Sequence, residues 1–403
     1  MDSFKRQLAQ ATADLSTRDL LGAVGLVVDD QGSTLYRHAA GRQSLEADVP
    51  RLDPDSTVSL GSAGKIITHI AALQLVEQGL LGLDEPADKH LPELKVCKVI
   101  VQDKHSPEEY RFRAPTSPIT LRHLLLHASG LSDHDAVDRR FGAGTADKVM
   151  GGIVAADAHP IAQRFSIPLL FDPGKGHAYG YSIHWTQLLV ARASGAASFV
   201  QYIQKHIFDP LGMTSSSYTP RLVDAVWQRR LHMVARRKGD DNGTLVDAED
   251  AQQGLMCSVS NVGRLLSALV ASSPMLLRDS AHYDLLWTGQ FAEDSPAIRD
   301  LRTDADNYAF VTGRANGATL SSPPAVNWSA GGLVVEGTDD LPVSGLPPGT
   351  VTWEGMPNVM WAMNRERRRA VFFATQLVPV GDPKANKLAL AFMNDAWRVF
   401  STR

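Results

Sequence analysis

The chain is 403 residues long, and its 40 basic and 44 acidic residues give a net charge of −4 without a long run of one sign. That balance provides no electrostatic footprint for nucleic acid or an anionic membrane, and no window reaches the roughly 18 apolar residues of a membrane span. Cys97 and Cys257 form no disulfide framework, which favours a reducing compartment. We therefore expect a cytoplasmic protein that binds small molecules, without nucleic-acid or membrane partners.

The N-terminal segment predicts a helix followed by a β-hairpin. Apolar residues recur at helical spacing at Phe4, Leu8, Ala11 and Leu15, which indicates an amphipathic helix. Two apolar or β-branched runs, GAVGLVVDD and STLYRHAAG, then flank a turn signal at residues 30–32. Such runs on either side of a short polar turn are typical of paired strands.

Helical patterns dominate the middle of the chain, and several of them end at glycine, as helices often do. The segments are KIITHIAALQLVEQGLL, TLRHLLLHASGL, HWTQLLVARASG, FVQYIQKHIFDPLGM and NVGRLLSALVAS. A polar stretch between the first two, VQDKHSPEEYRFRAPTSP, predicts a surface excursion or an extra hairpin.

Four segments near the C-terminus, VNWSAGGLVVEG, GTVTWEG, PNVMWAMN and RRAVFFATQLVP, predict three or four strands, at most one in each segment, before a closing helix that begins near Asp382. We predict an α/β (α+β) fold in which residues 1–61 and 291–403 form one sheet domain with terminal helices. Residues 62–290 would be a mostly helical domain inserted into it. Small-molecule sites favour such junctions, so the active site is expected there.

Ser62 and Lys65 stand three residues apart at the head of an apolar helical segment. This spacing places both side chains on one face, about one turn apart. Burial of the helix would desolvate the lysine amine and favour its neutral form, which could accept the serine proton. Taken alone, the pair is better explained by a capping serine and a solvated lysine.

Four further motifs accompany this pair in order: LRHLLLHASGL, FDPGKGHAYGYS, IFDPLGMTSSSY and WEGMPNVMW. Together the five segments resemble the serine β-lactamase-like superfamily, which includes class C β-lactamases, esterases and penicillin-recognising peptidases. The resemblance extends from about residue 20 to the C-terminus. In detail it is greatest to fungal polyketide transesterases of the lovastatin acyltransferase type, and it implies the β-lactamase/transpeptidase-like fold.

The resemblance implies roles for individual residues. Ser62 would be the acylated nucleophile, Lys65 its base partner and Tyr179 the phenol that shuttles the proton. Tyr181 competes for the last role, although the motif spacing favours Tyr179. The backbone N–H groups of Ser62 and Met356 would form the oxyanion hole. No cofactor and no metal are implied.

Three positions depart from the pattern of these relatives. Trp353 stands where β-lactamases carry the lysine of a Lys-Thr/Ser-Gly box, so we do not expect β-lactam hydrolysis as the main activity. A Val-Thr-Gly sequence at 311–313 lacks that lysine and is interpreted as strand or loop. Glu354 replaces a usual glycine; it would either face away from the site, as strand neighbours alternate, or alter the pocket. His184 replaces a usual aspartate.

Several residues near these motifs are candidates for substrate contact, although tryptophans are more often core residues. The predicted substrate-binding positions are Tyr181, Trp328, Trp353, Glu354 and Gly355. His177 and His184 flank Tyr179, but their spacing matches no metal-ligand pattern.

We therefore predict serine-dependent acyl transfer through an acyl-enzyme on Ser62. The donor would be an ester or thioester, free or bound to a carrier protein, and the acceptor a small secondary metabolite. Three alternatives remain open. The protein could be an esterase, lactonase or amidase; it could use Glu354 for non-acyl chemistry in the same pocket; or it could be a binding protein without activity.

Overall fold

The computed structural model describes residues 1–13, 18–46, 48–102, 109–149, 157–165, 168–240, 243–252, 254–303 and 324–400. Within them the α-helices are α1 Asp2–Ala13, α2 Lys65–Glu77, α3 Leu121–Leu125, α4 His134–Phe141, α5 Thr145–Val149, α6 Pro160–Phe165, α7 Ser182–Ser194, α8 Phe199–Ile203, α9 Asp224–Trp227, α10 Val259–Val270, α11 Ser280–Trp287, α12 Pro296–Thr303 and α13 Pro383–Phe400. The strands are β1 Gly22–Asp29, β2 Thr34–Gly41, β3 Thr57–Ser59, β4 Val99–Gln102, β5 Tyr110–Arg113, β6 Ser216–Ser217, β7 Val234–Arg236, β8 Leu245–Asp247, β9 Met256–Ser258, β10 Val326–Trp328, β11 Leu333–Val335, β12 Thr350–Gly355, β13 Val359–Asn364, β14 Arg369–Ala374 and β15 Leu377–Val378.

The largest sheet is antiparallel, has seven strands in the order β10-β11-β12-β13-β14-β1-β2 and is built from the two ends of the chain. The predicted N-terminal hairpin is confirmed as β1 and β2. The late run VNWSAGGLVVEG forms two strands rather than one. The Ser329 hydroxyl accepts the N–H groups of Gly331 and Gly332, and this turn reverses the chain between β10 and β11.

The two terminal helices cover one face of this sheet, called here the back face. A Cβ added to Gly25 of β1 would stand 2.7 Å from the Phe392 ring of α13 and 3.1 Å from the Phe4 ring of α1. Phe373 of β14 packs edge-on against Phe4. The predicted opening and closing helices are thus confirmed; Leu15, the last position of the first pattern, lies outside the described residues.

Helix α10 covers the opposite, front face. A Cβ on its Gly263 would stand 3.0 Å from Leu26 and 3.3 Å from Val28, both on β1. Helix α2 packs against α7 and α8 and buries ten of its thirteen residues, including Ile66, Ile67 and Ile70. Each such aliphatic side chain contributes on the order of 2 kcal/mol by leaving water, so packing fixes α2 firmly in the helical layer.

The polar stretch VQDKHSPEEYRFRAPTSP contributes to the antiparallel pair β4 and β5. Of its two predicted alternatives, the extra hairpin is therefore confirmed. The Val-Thr-Gly sequence at 311–313 lies outside the described residues. Among the residues that the structure describes, no helix combines the length and apolar character needed to cross a bilayer. The division into a domain of 1–61 plus 291–403 and a domain of 62–290 stays a prediction.

Candidate active site

Ser62 and Lys65 meet at the start of α2. Ser62 lies in a 3₁₀ turn, Gly61–Gly64, and Lys65 is the first residue of the helix that continues it. The Lys65 Nζ donates a hydrogen bond of 2.6 Å to the Ser62 Oγ. Both residues are half-buried, so Lys65 is less enclosed than the apolar helix predicted, while its contact with the serine is direct.

The 3₁₀ turn packs tightly against the end of β12. Gly61 has a φ of +51°, a conformation that glycine adopts without a steric penalty. A Cβ on Gly355 would stand 2.0 Å from the Leu60 carbonyl oxygen, so a side chain there would separate strand and turn. The Trp361 indole N–H donates to the Ala63 carbonyl at 2.8 Å and ties the turn to β13.

The same packing brings Met356 beside the serine turn. Met356 follows β12 directly, and its backbone nitrogen would lie 3.1 Å from a Cβ on Gly61. The Met356 side chain is 40% exposed, so a role in an oxyanion hole would belong to its backbone N–H. Gly355 therefore acts through close approach: without a side chain, it lets the two predicted donors, Ser62 and Met356, lie on adjacent elements.

Tyr179 lies against the lysine. The Lys65 Nζ is 4.8 Å from the centre of the Tyr179 ring. The Trp353 indole N–H donates to the Tyr179 hydroxyl at 3.1 Å, and the two rings are 5.0 Å apart. Trp353 therefore supplies an uncharged donor to the phenol oxygen.

Tyr181 occupies a different environment. Its hydroxyl is 3.1 Å from the His134 Nδ1, and its ring packs 4.8 Å from Phe165. His184, one turn into α7, stacks flat on the same Phe165 at 3.9 Å. The geometry therefore separates the two tyrosines: Tyr179 contacts the lysine, whereas Tyr181 belongs to an aromatic group that includes His184.

Buried aromatic rings form one wall beside Tyr179. Trp328 is 2% exposed and packs edge-on to Trp353 at 4.5 Å. His127 lies 4.5 Å from the Tyr179 ring and 5.5 Å from Trp328, and His177 completes the group at 5.3 Å from Trp328. Trp328 and Trp353 are thus core residues that also contact or flank the phenol.

Four histidines around this centre stay uncharged at neutral pH. Burial is the main cause: it lowers the pKa of His69 to about 4, of His177 to about 3 and of His184 to about 4. It also lowers the pKa of His127 well below its usual 6.5. The charge of nearby Lys65 adds to the effect at His69, His127 and His184. The lysine is surrounded by neutral rings.

Glu354 does not join the other predicted site residues. It pairs across the ladder with Met360, and Met360 pairs with Phe373, which belongs to the back face with Gly25. Because neighbours on a strand alternate, Glu354 points away from the face that Trp353 occupies. Burial raises the pKa of its carboxyl to about 8, and no described residue forms an ion pair or hydrogen bond with it.

One group of three possible metal ligands occurs within the described ranges. It consists of His232, Asp247 and Glu249, whose ligand atoms lie within 4.8 Å of one another. Arg230 already pairs with Glu249 at 3.1 Å, so a cation would compete with a guanidinium for that carboxylate. The residues around Ser62 contain no such group of ligands within the described part of the chain.

Comparison with known proteins assigns the family. Residues 6–393 match the Beta-lactamase protein family. The chain belongs to this family. An acyltransferase of Penicillium decumbens, calJ, is 30% identical over 383 residues, which cover 92% of this chain and 88% of the relative. The ML-236A carboxylate methylbutanoyltransferase mlcH of Penicillium citrinum is 28% identical and covers 93% and 90%.

Solved structures agree. The unliganded simvastatin synthase LovD of Aspergillus terreus matches with a TM-score of 0.81 at 25% identity, covering 99% of this chain and 98% of that one. EstCE1, a hydrolase with promiscuous acyltransferase activity, matches with a TM-score of 0.66 at 16% identity, which shows the fold alone. The predicted fold and superfamily are confirmed, and the protein is an enzyme of the serine acyltransferase and hydrolase type.

The sequence predicted no role for His127, although this residue lies within the LRHLLLHASGL motif. The missed signal was position: a histidine directly after an apolar helix, before a small-residue turn. His69 was also missed, one helical turn after Lys65, where its Nδ1 lies 2.7 Å from the Ala330 carbonyl. Neither contact is visible from spacing, because both partners lie far away in the chain.

Proposed function

We propose that this enzyme transfers an acyl group from an ester or thioester to a small-molecule alcohol through an acyl-enzyme on Ser62. The observation that carries the proposal is the 2.6 Å hydrogen bond between the Lys65 amine and the Ser62 hydroxyl. A serine hydroxyl becomes a useful nucleophile when a base lies within hydrogen-bond reach. The same amine lies 4.8 Å from the centre of the Tyr179 ring, and the Tyr179 hydroxyl accepts a hydrogen bond from Trp353.

In the acylation step, the Ser62 oxygen attacks the acyl carbonyl carbon while its proton passes to the amine of Lys65. The carbonyl oxygen becomes an oxyanion that the backbone N–H groups of Ser62 and Met356 stabilise, a contribution that typically amounts to a hundred-fold or more in rate. As the tetrahedral intermediate collapses, Tyr179 delivers a proton to the departing thiolate or alkoxide. The acyl group is then esterified to Ser62.

In the second step, an acceptor alcohol attacks the acyl-enzyme and loses its proton through Tyr179. Collapse returns the proton to Ser62 and releases the new ester. Water could replace the alcohol, and the outcome depends on how well the site excludes it. The names of the relatives, an acyltransferase and a methylbutanoyltransferase, support transfer and an acceptor of the fungal polyketide class; a donor bound to a carrier protein is part of the proposal.

The substitution of Trp353 for the box lysine supports an acceptor or donor without a carboxylate at that point. An ammonium would pair with a substrate carboxylate, whereas an indole N–H offers one uncharged donor, and Tyr179 already accepts it. We therefore propose that β-lactam hydrolysis is a minor activity at most.

Intact-protein mass after incubation with a panel of acyl thioesters tests the proposal. We expect a mass gain equal to one acyl group, and no gain in Ser62→Ala. Replacement of Tyr179 by phenylalanine should slow acylation about a thousand-fold, because the proton relay is lost while the ring stays. Ser3→Ala, which removes an exposed hydroxyl from α1, is the matched control and should acylate at the wild-type rate.

The same samples distinguish the alternatives. Adding candidate alcohols should convert the acyl-enzyme to ester product faster than water releases free acid; release of free acid alone would indicate a hydrolase. Turnover retained in Ser62→Ala would contradict the proposal and indicate non-acyl chemistry. A wild-type protein that neither acylates nor reacts with a fluorophosphonate would be a binding protein.

A further inference from the structure

His127 has a backbone conformation that L-residues rarely adopt. Helix α3 ends at Leu125, and two residues later His127 has a φ of +51°. A non-glycine residue in this left-handed region costs of the order of 1 kcal/mol, and such strain persists where the surroundings impose it. The side chain is completely buried. The conformation is therefore held by contacts, and several of those contacts are with Tyr179 and its two chain neighbours.

His127 binds the chain on both sides of the tyrosine. Its carbonyl oxygen accepts the N–H of Ala178 at 2.9 Å. Its ring Nδ1 accepts the N–H of Gly180 at 3.4 Å. Because these two donors are the residues immediately before and after Tyr179, one histidine fixes the backbone of the tyrosine at two points.

The opposite side of the same segment is closed by Ser132. A Cβ on Gly180 would stand 2.5 Å from the Ser132 backbone, so the chain at Gly180 fits between Ser132 and His127 with no room for a side chain. The His127 ring also lies on the Tyr179 ring, with centres 4.5 Å apart and planes tilted by 39°. Backbone and ring of the tyrosine are therefore both in contact with His127.

We propose that His127 is a positioning residue for acyl transfer, which holds Tyr179 where its hydroxyl meets the Trp353 N–H and its ring lies against Lys65. The proposal rests on the proposed function, since it assigns His127 to the proton relay of that reaction. His127 does not touch the reacting atoms. It acts through the tyrosine, and a displacement of about 1 Å of a reacting group can cost roughly a hundred-fold in rate.

The hydrogen bond to Gly180 also fixes the tautomer. An Nδ1 that accepts an N–H carries no proton, so the neutral ring has its hydrogen on Nε2. The titratable groups around the ring are His177, His69, Lys65 and Tyr179. Burial is the main cause of the lowered pKa of His127, and the neighbouring His177, His69 and Lys65 add to the effect. The ring therefore stays an acceptor throughout the ordinary pH range.

The orientation of the ring depends on few contacts. Within the described residues, the buried Nε2 of His127 has no hydrogen-bond partner. The Gly180 bond and the stacking on Tyr179 thus determine which way the ring faces. Removing the Nδ1 acceptor should release the tyrosine segment even where the fold is kept.

A matched pair of variants tests this role. Asparagine tolerates the left-handed conformation and offers an oxygen near the position of Nδ1, whereas leucine has a similar size and no acceptor. We expect His127→Leu to lower kcat for acylation about 30- to 100-fold with KM within about two-fold, and His127→Asn to stay within about five-fold of wild type. His90→Asn is the control. The His90 carbonyl accepts a hydrogen bond from Arg192, which lies near the C-terminal end of α7.

Gly180→Ala attacks the same contact without changing the histidine. Its Cβ would collide with Ser132 and push the Gly180 N–H away from Nδ1, so we expect a loss of kcat similar to that of His127→Leu. This variant keeps the test decisive if His127→Leu does not fold. End-point labelling with a fluorophosphonate gives the fraction of competent enzyme in each sample.

Tyrosine labelled with ¹³C at Cζ provides a readout that does not depend on turnover. The Tyr179 resonance, identified by its loss in Tyr179→Phe, should shift in His127→Leu and Gly180→Ala and keep its position in His90→Asn. The pH dependence of acylation should shift in the same two variants. A decrease in Tm alone would not cause such a shift.

Two results distinguish a failure of the positioning role from a failure of the proposed function. An unchanged Tyr179 resonance together with unchanged kcat in folded His127→Leu would overturn the positioning role. A Tyr179 resonance that shifts in a protein that no thioester or fluorophosphonate acylates would keep the positioning role and reject the proposed function.

Discussion

Trp353 and Glu354 are neighbours on β12, yet they lie on opposite faces of the sheet and in opposite environments. Trp353 faces the helical layer, where its N–H binds Tyr179 and its ring packs on Trp328. Glu354 faces the back of the sheet, where burial raises its carboxyl pKa to about 8 and no described cation pairs with it. The front face contains hydrogen-bonded pairs of functional groups, and the back face contains an acid for which no described residue is a partner.

The difference shows how the same strand serves two purposes. On the front face, the Lys65 amine contacts the Ser62 hydroxyl and the Trp353 N–H contacts the Tyr179 hydroxyl, so a substitution at one of these residues should affect the reaction. On the back face, Glu354 is half-buried, and the partial loss of hydration disfavours the charged form of its carboxyl. We therefore expect front-face changes to alter rate and the Glu354 change to alter stability.

Gly355→Ala should have the largest effect in this comparison. The new Cβ would stand 2.0 Å from the Leu60 carbonyl and must push β12 away from the serine turn, which separates the N–H groups of Ser62 and Met356. We expect kcat/KM for acylation to fall at least a hundred-fold, as for loss of an oxyanion donor. Gly195→Ala, a strained glycine at the end of α7 with open space around it, is the control. Similar losses in both variants would contradict this explanation.

Trp353→Phe should have an intermediate effect. The substitution keeps an aromatic ring against Tyr179 and Trp328 but removes the N–H that the phenol oxygen accepts at 3.1 Å. A hydrogen bond of this kind contributes roughly 1–2 kcal/mol, so acylation should slow about ten-fold. Stopped-flow acylation with a chromogenic ester measures it. Trp287→Phe removes an indole N–H that has no described partner and should leave the rate unchanged; an equal loss there would refute the role of the Trp353 bond.

Glu354→Gln should have the smallest effect on rate and a measurable effect on stability. A carboxyl whose pKa is raised from 4.5 to about 8 on folding binds more protons in the native state, so its favourable contribution is present below pH 4.5 and is lost as pH rises through 8. The variant should therefore gain Tm at pH 8.5, by about 2–5 °C, and change little at pH 5.

Thermal unfolding at both pH values measures this effect. Glu366→Gln, on the exposed turn after β13, removes a solvated carboxylate and should leave Tm unchanged at either pH. A loss of Tm in Glu354→Gln at pH 8.5, or a gain of equal size at pH 5, would show that desolvation does not dominate at this position. A ten-fold loss of acylation would instead indicate that Glu354 communicates with the site.

Much of the architecture follows from local pattern. The N-terminal hairpin, the late strands and the closing helix were predicted from alternation and turn signals, and the structure confirms them. The division of VNWSAGGLVVEG into two strands was missed, because the reversal depends on Ser329 accepting two N–H groups. Side-chain turns of this kind leave a weak compositional signal.

The candidate site, like the fold, contains some contacts that local sequence pattern predicts and others that it does not. Ser62 and Lys65 are three residues apart, so helical geometry allows their contact, and the accompanying motifs favoured it over a capping serine with a solvated lysine. Tyr179 and Tyr181 have similar sequence surroundings, and motif spacing only favours the first; their difference comes from Trp353 and His134, which approach from other elements. The face of Glu354 was left open because alternation gives two registers, and only strand pairing selects one.

The sequence by itself determined the serine and lysine pair, the strands of both termini and the family, because these depend on short-range spacing and on ordered motifs. Only the tertiary structure decided that His127 holds Tyr179 and that Glu354 lies on the back face of the sheet. Those facts depend on a left-handed residue and on the pairing of distant strands. Contacts between residues far apart in the chain are set by packing, which no local pattern encodes.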